Sequence, residues 1–257
     1  MNKPHTPQPA SQPHNTPTVD NPTVDNPSVD NPTVDNPSAD NPSAAPSESH
    51  SQRPVVGGLS ADPVLSIKAD LRSCMNGVAS KAIKDSGMAY RLVYGVELPR
   101  LRDIASSYPP DAHLAIRLWQ ENIRECKMLA ILLFPAEEFD RDIADLWLED
   151  LQPVQAEIAQ LLGTELLPRT SDAAELSFLW IADERPMYQL CGYLCLTRLI
   201  MRGAQLSPDA ETEFLDQAEA TLPSTFLPLR KAVQNALLHF AETSKEAQVK
   251  VEKLLNR

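Results

Sequence analysis

The sequence predicts an all-α fold in which antiparallel helix pairs stack side by side. Apolar residues recur every three to four positions along most of residues 62–255, the spacing of one buried helix face. No stretch alternates apolar and polar residues as a half-buried strand does, and no hairpin signature joins two such stretches. The helical segments are short, about three turns each, and none can bury its apolar side alone, so each calls for neighbours laid beside it.

Composition separates residues 1–58 from residues 59–257. The first part contains almost nothing large and apolar, and residues 18–42 are five copies of a five-residue unit: TVDNP, TVDNP, SVDNP, TVDNP and SADNP. Proline at every fifth place removes backbone donors and forbids a continuous helix, while Asp-Asn before it favours isolated turns. With one small apolar residue per unit there is nothing to pack, so this tail reads as a disordered spacer or an irregular series of turns. Residues 59–257 hold enough leucine, isoleucine and aromatic side chain for one folded domain.

In that domain Ser60 or Asp62 can cap a first helix, with Pro63 in its first turn and Val64, Leu65, Ile67 and Leu71 as its stripe. Gly77 and Gly87 bracket a shorter unit. Gly95 precedes a helix that starts near Leu98, holds Pro99 in its first turn and buries Leu101, Ile104 and Ala105. Tyr108, Pro109, Pro110 and Asp111 stop it and open the next, whose inward residues are Leu114, Leu118 and Trp119. Cys126, Met128, Leu129 and Leu133 form a further series. Asp140 to Leu148 presents Ile143, Leu146 and Trp147, and Leu151 to Leu162 presents Val154, Ile158, Leu161 and Leu162. Gly163 and Pro168 break that pattern. Ser171 offers a cap to a helix with Leu176, Leu179 and Trp180 on one stripe. Pro186 opens a longer helix through Tyr188, Cys191 and Cys195 to about Gly203, and Ser207-Pro208 opens another. Phe226, Leu229, Val233, Leu237 and Phe240 mark a strong helix, and Glu246 to Leu255 closes the series as a weaker one.

The longest apolar run, around Met128 to Pro135, is far too short to cross a bilayer, and the amino end shows no signal peptide. Cys74, Cys126, Cys191 and Cys195 are too scattered for a disulfide scaffold and read as free thiols of a reducing, cytoplasmic compartment. Cys191 and Cys195 share a helix face, but nothing completes a metal half-site there, so no metal and no cofactor is expected. Net charge is −12, and from Val56 onward 29 acidic residues face 21 basic ones. That balance disfavours nonspecific nucleic-acid binding. It is unevenly spread: residues 63–127 carry ten Lys or Arg against seven Asp or Glu, residues 128–219 five against eighteen, and residues 220–257 six against three. A polyanion would meet the two ends of the domain more comfortably than its middle.

No phosphate-binding glycine loop, H-E-x-x-H, serine elbow or zinc-deaminase spacing is present. His113 and His239 are the domain's histidines, and neither has a near partner for a triad. Carboxylates are plentiful around Trp147, with Asp145, Glu149 and Asp150 at a helix end and Glu157 one turn into the next helix. A carboxylate facing Trp147 or Trp180 in a cleft can stabilise a cationic sugar during base excision. The same residues also read as an acidic solvent face beside core tryptophans. Trp119 reads as core or as a base-stacking platform.

Tyr94-Gly95-Val96, Pro99-x-Leu101-Arg102-x-Ile104-Ala105, Ala115-x-x-Leu118-Trp119 and Ile123-Arg124-Glu125-x-x-x-Leu129-Ala130 resemble the amino half of the bacterial alkylpurine DNA glycosylases built from HEAT-like helix pairs, the AlkD family. The match continues through Trp147-x-x-Asp150 and Leu229-Arg230-Lys231-Ala232-Val233 and covers most of residues 62–242. The resemblance implies a curved, right-handed α-solenoid of HEAT-like antiparallel pairs whose concave face, in active relatives, holds damaged duplex DNA. Those relatives release cationic alkylated purines, such as 3-methyladenine and 7-methylguanine, through a pocket of tryptophans, an Asp and an Arg. This chain departs from the pattern at the pocket. Where relatives resemble W-D-x-x-D, Val154 takes the tryptophan place and Ile158 the catalytic aspartate place. Glu157 is one residue away, about 100 degrees around a helix. Met187-Tyr188-Gln189-Leu190 lacks the phosphate-binding cation of relatives, Asn235 stands for a tryptophan and Leu238 for an arginine.

Two functions follow, beside a third reading of a purely structural domain that displays its long acidic tail. One is a helical-repeat binding scaffold of the alkylation-repair superfamily without glycosylase activity, a monomer that takes duplex DNA or a protein partner on its concave face. It requires Val154, Gln189 and Asn235 to surround one cavity stripped of working side chains. The other is an active glycosylase with Glu157 or Asp150 as its carboxylate and Arg124, Lys127, Arg230 and Lys231 on DNA phosphates. Arg124-Glu125 reads equally as an internal helix-helix ion pair. A solvent-open groove where a carboxylate, an aromatic ring and a cation converge would overturn the inactive reading in favour of the enzyme.

Overall fold

The computed structural model describes residues 62–88 and 90–256, so the five-residue repeats and the Ser60 cap lie outside the described residues. The chain divides between Val56 and Gly57, and the unit that follows is described by itself. Among the described residues it is all helix: α1 (Pro63–Ser73), α2 (Gly77–Asp85), α3 (Leu98–Ser106), α4 (Ala112–Trp119), α5 (Arg124–Leu133), α6 (Arg141–Glu149), α7 (Ala156–Leu161), α8 (Ala173–Ile181), α9 (Pro186–Met201), α10 (Pro208–Thr221), α11 (Leu227–Ala241) and α12 (Lys245–Leu255).

The starts follow the sequence chemistry. Side chains of Asp62, Asn76, Asp111, Asp140, Ser207 and Ser244 accept from first-turn amides of α1, α2, α4, α6, α10 and α12. Each such cap contributes about 0.5–2 kcal/mol. Prolines occupy the first turn of α1, α3, α9, α10 and α11, where a missing amide leaves no bond unmade. Short connections turn α5 back on α4, α9 on α8, α11 on α10 and α12 on α11, and two rows result. In one row α3, α5, α7, α9 and α11 touch in that order; in the other α4 lies on α5, α8 on α9 and α10 on α11, with α8, α10 and α12 in sequence. The core is the seam between these rows.

Several stripes differ from the sequence reading. Leu65, Leu146, Val154 and Leu179 are exposed. On α6 the buried residues are Ala144, Trp147 and Leu148, one step round from the expected face, because stacking of the Trp147 ring sets how the helix is rotated. Val154 lies in a single 3-10 turn, Pro153–Gln155, ahead of α7. Gly163 does not end the helix. The chain continues through it as a wider π turn, Leu162–Leu166, and a Cβ there would sit 2.8 Å from the Cys191 carbonyl oxygen, so this glycine lets α7 and α9 approach. Ser171 does not cap α8 either: its hydroxyl bonds the Asp172 carboxylate, and the helix start carries no side-chain cap.

Candidate functional site

The amino-half motifs meet in a buried lock. Glu125 is fully buried at the start of α5. Its carboxylate accepts from the amides of Tyr94 at 3.0 Å, Gly95 at 2.8 Å and Val96 at 3.3 Å. Gly95 can supply its amide because it holds φ +74°, and a Cβ would fall 2.3 Å from the Asn76 carbonyl oxygen. Arg124 completes the lock. Its guanidinium bonds Glu125 and the Val96 carbonyl at 3.2 Å each, and grips both oxygens of Glu157 on α7 at 2.8 Å. Burial, followed by the Glu157 charge, pushes the neighbouring Tyr90 phenol up.

Beside this lock lies a solvent-open groove of about 600 Å³, lined by Trp119, Lys127, Trp147, Asp150, Gln152 and Gln155 among others. Trp119 at the end of α4 and Trp147 on α6 stack face to face, 4.1 Å apart and 4° from parallel. Phe134 and Phe139 press edge-on against Trp147. The Lys127 ammonium sits 4.3 Å over the Trp119 ring, donates to the Trp119 carbonyl at 3.2 Å and bonds Asp150 at 2.5 Å. A buried ammonium above an indole face, also paired with a carboxylate, is held by cation-π attraction as well as charge.

The sequence candidates are thus partly brought together. Asp150 and Lys127 share the groove; Glu157 and Arg124 bind each other just inside it. Arg230 and Lys231 lie far along the chain on α11, and they do not line it. Val154, Gln189 and Asn235 do not line it either, so the groove is not the stripped cavity expected around them. They lie on the turn before α7, on α9 and on α11, three different elements of the stack, and Ile158 is fully buried in the core. Trp180 is also core, edge-on to Tyr188 at 5.8 Å. Sequence reasoning passed over the amides Gln120, Asn122, Gln152 and Gln155, which line the groove; isolated amides at helix ends carry no pattern that would have marked them.

A family model described as DNA alkylation repair enzyme matches residues 67–256. The chain belongs to the DNA alkylation repair enzyme family. A solved structure from a new family of proteins related to the HEAT-like repeat DNA glycosylases, with affinity for branched DNA structures, matches with a TM-score of 0.62 and 17% identity over 74% of this chain and 80% of that one. At that identity the likeness establishes the fold, a stack of HEAT-like helix pairs. No curated protein matches the chain. In this DNA alkylation repair family member, then, the lock built by Tyr94-Gly95-Val96 and Arg124-Glu125 is architecture, joining the loop before α3 to α5 and α7. Among the described residues no helix is long and apolar enough to cross a membrane, and no group of three or more His, Cys, Asp or Glu is placed to hold a metal ion.

Proposed function

We propose that this chain is a DNA-binding helical-repeat scaffold of the DNA alkylation repair family that does not excise bases. The observation that carries this reading is that both candidate carboxylates are paired with internal cations: Glu157 is gripped through both oxygens by Arg124, and one oxygen of the half-exposed Asp150 is bonded by Lys127. A carboxylate neutralised in this way gives a weaker field to a developing oxocarbenium ion. The aromatic faces support the same reading. Trp119 and Trp147 stack on each other and are both buried, with the Lys127 ammonium over the Trp119 ring, which leaves little indole face for an unstacked purine. The structural neighbour's affinity for branched DNA makes a four-way junction the first ligand to try. We read the protein as a cytoplasmic monomer with free thiols and take a protein partner as the alternative occupant.

A second reading has its own support. Asp150, two tryptophans and Lys127 do converge on an open groove, the arrangement the sequence reading set against an inactive protein and for excision of cationic purines, with Asp150 as the carboxylate. The bond from Lys127 to Asp150 is what keeps the scaffold reading ahead. One assay separates the two. The purified protein is incubated with duplex containing 7-methylguanine, and released base is measured alongside binding of duplex and junction DNA. The scaffold reading expects binding without release. Release that disappears in Asp150→Asn or Glu157→Gln would establish the enzyme instead.

A further inference from the structure

The acidic stretch from residue 128 to residue 219 contains five basic side chains, all arginine. Two are neutralised by carboxylates: Arg141 by Asp145, and Arg185 by Asp183 and Glu149. The other three, Arg169, Arg198 and Arg202, have no carboxylate partner; Arg169 and Arg202 meet at one turn, and Arg198 lies four residues before Arg202 on α9. Arg169 spends its Nε–H on the Glu165 carbonyl at 2.8 Å, and Arg202 spends one Nη–H on the Pro168 carbonyl at 2.8 Å. Arg198 lies one turn before Arg202 on α9, so the two share a helix face; its side chain makes no hydrogen bond or ion pair among the described residues. Arg102 of α3 joins them by bonding Glu165 at 2.7 Å.

Three guanidiniums therefore bond the turn that follows α7, with Glu165 the carboxylate paired among them, and Arg198 stands one helical turn from Arg202. A cleft of about 470 Å³ opens beside it, lined by Arg102, Ser106, Tyr108, Glu165 and Arg169 among others. Placing like charges together costs energy, and a domain with an acidic excess offers many sites where they could have been paired instead. A guanidinium has five N–H donors. Arg169 and Arg202 each anchor through one bond to a backbone carbonyl, which orients the fork and leaves the remaining donors facing outward. Fixed forks with unspent donors match phosphate oxygens, which they bind two at a time.

We propose that the corner formed by Arg102, Arg169, Arg198 and Arg202 is a phosphodiester-binding site that takes successive backbone phosphates of a nucleic acid. The inference rests on the DNA-binding reading above and names where on the molecule the backbone is held.

The test is anisotropy of the full chain with a labelled four-way junction and a duplex, from about 50 to about 200 mM salt. Wild type is compared with Arg198→Gln, with the fourfold Gln variant of the corner, and with Lys81→Gln as a remote control. Each lost phosphate contact flattens the plot of log affinity against log salt by about 0.9, so the fourfold variant should bind at least about tenfold more weakly at low salt, with Lys81→Gln unchanged. Circular dichroism checks folding. If the fourfold variant unfolds, Arg198→Gln decides, because its side chain has no internal partner to lose: a slope shallower by about 0.9 supports the site, and an unchanged slope overturns it. Folded corner variants that keep wild-type affinity and slope while melting earlier would show arginines that merely cap carbonyls. Displacement of the DNA by poly-glutamate as readily as by unlabelled duplex would also overturn the proposal. A wild type that binds neither DNA removes the DNA-binding reading itself, an outcome distinct from the failure of this site alone.

Discussion

Glu125 has no access to solvent and answers three amides and a guanidinium at once. Replacing it by Gln removes the charge that Arg124 faces and leaves at least one amide without a good acceptor, so Glu125→Gln should lower unfolding free energy in urea by about 3–5 kcal/mol. A loss under about 1 kcal/mol would mean that the lock is not holding the fold. The thiols offer a second expectation. A hydrogen bond from Ser73, and after it the Arg100 guanidinium, hold the half-exposed Cys74 thiol below its ordinary value. Burial pushes Cys126 and Cys195 up to about 12 and raises Cys191 as well. Since the thiolate is the reacting form, iodoacetamide should label Cys74 first near neutral pH, with a rate that levels off at lower pH than for an ordinary thiol. The other three should react only on unfolding, and peptide mapping reads both outcomes. At this scale the sequence named Arg124, Glu125, Lys127, Asp150 and Glu157 but left open whether the charges faced DNA or one another. Arg124 and Glu157 are 33 residues apart, and no local pattern pairs them.

Helix starts were the most legible elements, because a cap and a first-turn proline act within four residues of each other. Asp62, Asp111, Asp140 and Ser207 all accept the amides that the sequence offered them. Faces were less legible. A stripe of spacing three to four fits two neighbouring rotations of a short helix, and on α6 the tryptophan stack chose the one that leaves Leu146 outside. Gly163 was misread for a related reason, since a breaker and a close-packing glycine look alike in a sequence. Two substitutions separate these roles. Gly95→Ala meets both positive φ and backbone atoms at 2.3 and 2.5 Å, and should cost about 3 kcal/mol. Gly163→Ala meets only the approach of α9 and should cost about 1–3 kcal/mol with helix content unchanged by circular dichroism. A neutral Gly163→Ala would mean that α7 and α9 can move apart freely.

Across the whole unit, stability should fall from the middle of the stack toward its ends, because each helix in the row rests on its immediate neighbours. α5 buries nine of its ten residues, whereas α2 buries Ser80 alone. Hydrogen exchange followed by mass spectrometry should therefore find α2 exchanging first and α5 and α9 last; equal protection of α2 and α5 would contradict a neighbour-by-neighbour stack. By itself the sequence determined the all-helical class, the helix starts, the composition that sets residues 1–58 apart, and the absence of Asp at position 158. Each of these depends on periodicity or chemistry within a few residues. The tertiary structure decided which cation answers which carboxylate, that the Trp119 and Trp147 faces close on each other, and that arginines from α3, α9 and the turn after α7 share one corner. Those outcomes depend on how rigid helices come to rest against each other. Side chains as far apart as Arg102 and Glu165, 63 residues along the chain, meet only once the stack is built.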